Sequence, residues 1–81
     1  MARSACDELL EEFCRPGTRT YRETRELLLA CGFEERVTRN QHAVWKGPRG
    51  MTLTLTTERF LKDYYKSLVE RMIRSLRLLD D

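Results

Sequence analysis

Histidine is almost missing from this chain: His42 is the only one in 81 residues. A His-rich metal centre and a two-histidine nuclease site are therefore excluded. Cysteine is scarce too, with Cys6, Cys14 and Cys31. A structural zinc site would need nearly all of these ligands, and their spacing fits no common zinc motif. No metal and no cofactor is expected. The longest apolar run, Leu27 to Cys31, is far short of the roughly 20 residues that cross a bilayer as a helix. The N-terminus turns acidic at Asp7-Glu8, where a signal peptide turns apolar. These features lead to the expectation of a cytoplasmic chain without membrane contact, its three cysteines reduced and inert. There is no internal repeat and no low-complexity stretch.

What the chain does have is a composition that suits one compact core. Hydrophobic residues make up 41% and charged residues 35%, and a length of 81 residues accommodates one domain rather than two. The expected organisation is a single domain over 1–81, with 1–16 as an N-terminal helical extension and 20–78 as the core. The net charge is +2, unevenly spread. Residues 1–14 set Arg3 against Asp7, Glu8, Glu11 and Glu12, whereas residues 15–50 carry eight basic residues and four acidic ones. A basic segment of this kind attracts phosphates even on a nearly neutral protein.

Residues 4–14 read as a short amphipathic helix with Ser4 as its cap and Leu9, Leu10 and Phe13 as its apolar stripe, ended by Pro16-Gly17. Thr20-Tyr21-Arg22-Glu23 is a capping box that opens a helix over 21–31, which Gly32 closes. The period then changes from helix to strand. Phe33, Glu35, Val37 and Arg39 alternate with Glu34, Arg36 and Thr38; Gln41 to Lys46 is a second extended run; Gly47 to Gly50 is a turn; Met51 to Thr56 alternates apolar residues with threonines. Short connections predict an antiparallel meander with one face covered by helices. The threonine row is expected on a solvated edge-strand face. Phe60, Leu61, Tyr64, Tyr65, Leu68, Val69, Met72, Ile73 and Leu76 form a broad apolar stripe for a last helix from about 63 to 78, capped by Thr57 or Asp63. The fold class is α+β, in the order α-α-β-β-β-α.

Histidine is the side chain that changes charge near neutral pH, so His42 is the natural candidate for proton transfer. In RNA cleavage a 2′-hydroxyl loses a proton as it attacks the adjacent phosphorus, and the 5′-oxygen gains one as it leaves. Charge growing on the phosphoryl oxygens calls for cationic donors, and Arg39, Lys46 and Arg49 are near in sequence. Which sheet face carries His42 stays open: Val44, on the His42 face, argues for the core, and Trp45 argues the opposite. Trp45, Tyr64 and Tyr65 read as core residues.

The order of motifs resembles HicA-type toxins. The family runs from a Leu-rich helix through Gly-Phe into a strand, matched here by Cys31-Gly32-Phe33. It continues with Gly-Ser-His and a hydrophobic–aromatic–basic strand, where Asn40-Gln41-His42-Ala43-Val44-Trp45-Lys46 stands. Met51–Thr56 looks like its third strand and Lys62–Val69 like the start of its final helix, while the N-terminal helix resembles the extension of a longer subgroup. The resemblance covers about residues 5–77. Asn40-Gln41 replaces Gly-Ser, and Thr56-Thr57 stands where a proline often follows the third strand. The resemblance implies a double-stranded-RNA-binding-domain-like fold and metal-independent RNA cleavage by His42. It also implies silencing by a HicB-type antitoxin. The alternative expectation is a catalytically degenerate RNA-binding or protein-interaction module on the same fold.

Overall fold

The computed structural model describes residues 4–79. Two helices, α1 (Ala5–Phe13) and α2 (Tyr21–Ala30), precede the strands β1 (Glu34–Arg39), β2 (His42–Lys46) and β3 (Thr52–Thr56). The helix α3 (Asp63–Leu79) follows them. The sheet is antiparallel in the order β1-β2-β3, so β1 and β3 are its edges. The α+β meander expected from the alternation is present.

Local chemistry sets the ends of these elements. Ser4 and Asp7 form a capping box on α1, and Thr20 and Glu23 form one on α2. Each box satisfies backbone N–H groups that the first helical turn leaves without partners. The hydrogen bond from the Ser4 hydroxyl holds the Asp7 carboxyl below its usual range, and the Thr20 backbone N–H does the same for Glu23. At the other end of α1, the Arg19 guanidinium donates to the carbonyls of Glu12, Phe13 and Arg15 at 2.9–3.2 Å, which supplies donors where the helix has run out of them. Gly32 closes α2 at φ 90°. The helix α3 begins at Asp63, so neither Thr57 nor Asp63 holds the cap position; Asp63 instead places its charge in the first turn, where the helix dipole favours it.

The core lies between the helices and one face of the sheet. Trp45, Phe33, Leu27, Leu28, Leu53, Leu55, Val69 and Ile73 are fully buried. Gly47 is required by this packing: a Cβ there would come within 2.4 Å of the Phe33 ring. Trp45 is the core anchor that its size suggested. Its indole N–H donates to the Tyr21 hydroxyl at 3.3 Å, and that hydroxyl donates to the Glu35 carboxylate at 2.7 Å. Burial, followed by the bond to Glu35, pushes the Tyr21 hydroxyl pKa up to about 12, so it stays a donor at neutral pH.

Three expectations are corrected. Cys6 and Cys31 are joined in a disulfide with a Cα–Cα distance of 4.8 Å, which leaves Cys14 as the thiol. The pairing links the first turn of α1 to the end of α2, 25 residues apart in sequence, where no local pattern announces it. Tyr64 is 70% exposed and Phe60 54% exposed. Phe60 precedes α3 and takes part in an antiparallel bridge with Thr20 instead, and Tyr64 stacks its edge on Tyr65 at 5.4 Å between centroids. Thr56 is buried although Thr52 and Thr54 are exposed. Among the described residues no helix is long and apolar enough to cross a membrane.

Candidate functional site

Side chains alternate along a strand, and the burial of Ala43 and Trp45 settles which face His42 occupies. His42, Val44 and Lys46 point away from the helices, onto the open face of the sheet. Antiparallel partners share a face, so Arg39 opposite His42 on β1, and Thr56 opposite it on β3, are on the same side of the sheet; Arg39 is exposed there and Thr56 is covered.

A β-bulge brings Arg39 there. Unbroken alternation would put Glu35 and Arg39 on one face. The pairing instead slips between Glu35 and Val37, so that Glu35 opposes buried Trp45 whereas Arg39 opposes His42. The extra residue in β1 turns Arg39 over to the open face, the re-aiming that bulges produce. Tyr21, which accepts from the Trp45 indole, donates to Glu35 and holds it on the helix side. The guanidinium and the imidazole thus sit on adjacent strands, with Cβ atoms about 5 Å apart as expected for such a pair. Among the described residues no salt bridge engages Arg39.

The turn joining β1 to β2 consists of Asn40 and Gln41 at φ 50° and φ 64°. Two consecutive left-handed residues make the tight hairpin whose twist matches the flanking strands. Asn40 tolerates that conformation, and Gln41 adopts it at a cost. The turn also orients the histidine: Nδ1 of His42 lies 2.9 Å from the Asn40 carbonyl oxygen. A carbonyl only accepts, so Nδ1 carries the proton of the neutral ring, and Nε2 keeps a free lone pair. The ring is exposed.

Thr56 completes the pair of neighbours. The Thr57 amide donates to the Gln41 carbonyl at 2.7 Å, the bond that flanks a non-hydrogen-bonded antiparallel pair. His42 and Thr56 therefore face each other at the closer of the two ladder spacings. The Thr56 hydroxyl is buried with no hydrogen-bond partner.

Lys46 and Arg49 are not part of this group. Lys46 is at the far end of β2, about 13 Å from His42 at the usual strand rise, and opposes Glu34. Arg49 lies beyond it in the short 3₁₀ turn Pro48–Gly50. Sequence proximity suggested three cations around one histidine; the strand separates them, and only Arg39 is brought to it. Among the described residues no three His, Cys, Asp or Glu side chains converge on a metal position.

No protein-family model matches the chain, and no curated protein and no solved structure is significantly similar to it.

Proposed function

We propose that this chain is a small RNA-cleaving toxin of the HicA type, a metal-independent endoribonuclease silenced by a HicB-type antitoxin. The observation that carries the reading is the site on the open sheet face. The lone histidine is exposed, its Nδ1–H is fixed by the Asn40 carbonyl, and Arg39 is its cross-strand neighbour. In this mechanism Nε2 of His42 takes the proton of a ribose 2′-hydroxyl. The 2′-oxygen forms a bond to the adjacent phosphorus, and the bond to the 5′-oxygen breaks. The 5′-oxygen leaves with a proton from water or from the imidazolium, giving a 2′,3′-cyclic phosphate and a 5′-hydroxyl end. Arg39 stabilises the charge that grows on the non-bridging oxygens.

On this reading the protein works in the cytoplasm, where thiol pools would reduce the Cys6–Cys31 bond. The second reading, a non-cutting RNA-binding or protein-interaction module, draws on the distance of Lys46 and Arg49 from His42 and on Gln41 at a position that suits glycine. An RNA oligonucleotide and its fully 2′-O-methylated copy separate the two. The proposed enzyme cuts the first and leaves the second intact, because the methyl group removes the nucleophile. Cleavage of both contradicts the mechanism, and cleavage of neither favours the binding module.

A further inference from the structure

On the helix side of the same hairpin a cleft of about 410 Å³ lies between α2, β1 and the residue that follows β3, lined by Tyr21, Arg22, Arg25, Glu35, Thr38 and Thr57. Two of these residues tie it to the site already described. Thr38 is the β1 neighbour of Arg39 and pairs with buried Ala43, so its side chain is on the opposite face from that of Arg39. Thr57 donates its amide to the Gln41 carbonyl within the turn. The cleft thus lies beneath the end of the hairpin whose other face carries Arg39 and His42.

Its charge is mainly cationic. Arg22 and Arg25 are three residues apart on α2 and so are neighbours on its surface. Arg22 has a long 3.8 Å ion pair with Glu26 and a side chain 90% exposed. Arg25 is exposed and lies near enough to Tyr21 to act on its hydroxyl. The one carboxylate in the lining, Glu35, is already held by Tyr21 at 2.7 Å. Two arginines with solvent-facing heads beside a polar cleft make a receptor for phosphates. Among the described residues no further strand pairs with the outer edge of β1, so a nucleic-acid chain leaving His42 and Arg39 has a route past it.

We infer that the cleft is the track for the RNA segment flanking the scissile phosphate, with Arg22 and Arg25 binding its backbone. This rests on the RNA-cleaving reading and extends it: the substrate is single-stranded across the hairpin, gripped on both sides of β1, and held by backbone charge rather than by base identity.

The test measures binding of a labelled single-stranded RNA oligonucleotide to full-length His42→Ala protein over a range of salt concentrations, so that no cleavage intervenes. Arg22→Gln/Arg25→Gln in that background should weaken binding and lower the slope of log affinity against log salt by about 1.4, at roughly 0.7 for each phosphate of a single strand that is no longer neutralised. Arg22→Lys/Arg25→Lys should restore the slope, because the charge is kept. A slope unchanged by the Gln pair, or a weakening that the Lys pair does not reverse, overturns the inference. If Arg39→Gln weakens binding while the Gln pair does not, the cleft is not the track and the site on the open face stands. If the His42→Ala protein with all its arginines binds no RNA, both fall.

Discussion

Gln41 adopts φ 64° in a two-residue turn, a conformation that opposes a side chain bearing a Cβ by about 1–2 kcal/mol. Glycine removes that penalty but gains freedom in the unfolded chain. Gln41→Gly should therefore raise stability by about 1 kcal/mol, read as a higher urea midpoint with an unchanged m-value. Thr56 is a second residue whose native identity costs stability. Its hydroxyl is buried and has no partner, a state that costs about 1–3 kcal/mol. Thr56→Val keeps the shape and deletes the hydroxyl, so the unfolding midpoint should rise; a fall would show that the hydroxyl is satisfied in solution. Both residues adjoin His42, one in the chain and one across the strand pair. Neither cost was visible in the sequence, because a left-handed glutamine and an unsatisfied threonine are defined by backbone angle and burial rather than by residue type.

At the scale of elements, the capping boxes at Ser4 and Thr20, the closing Gly32 and the threonine alternation of β3 act within a few residues of chain. Those helices and strands were legible for that reason. The bulge in β1 was not, since it depends on which residues of β2 lie opposite. It decides the site: without it Arg39 would share a face with Glu35. The distance of Lys46 and Arg49 from His42 was hidden on similar grounds, because nearness in sequence along an extended strand becomes separation in space. The tie between α1 and α2 was also hidden, as it joins residues from different helices. The Cys6–Cys31 disulfide closes a loop of 25 residues, and constraining the unfolded chain to that extent is worth about 3.5 kcal/mol. Unfolding with and without a thiol reductant should differ by about that amount, and Cys6→Ser/Cys31→Ser should abolish the difference. Equal stability in both conditions would show that the bond does not form in solution. The ion pair of Asp7 with Arg77 at 2.7 Å also holds α1, so the helix should remain docked when the bond is reduced.

Taken as a whole, the molecule has two unlike sides. The three helices gather the apolar residues on one face of the sheet, and the other face carries His42 with Arg39 and a row of threonines. A histidine that is exposed, oriented through Nδ1 and flanked by an arginine is equipped to move a proton next to a phosphate. His42 is the only histidine of the chain, and the free lone pair on Nε2 is an independent reason for proposing it as the proton acceptor. The other side of the hairpin offers two further arginines, and on the proposed reading RNA crosses β1 between the two faces.

The most direct measurement compares the wild-type protein with His42→Ala for cleavage of a single-stranded RNA in the presence of EDTA, after matched unfolding curves have shown that both are folded. The wild type should cut to a 2′,3′-cyclic phosphate and a 5′-hydroxyl end, and the variant should be slower by about 10² or more, the contribution expected of a positioned acid–base group. Equal cleavage by the two proteins, or no cleavage by the wild type, would contradict the proposed function.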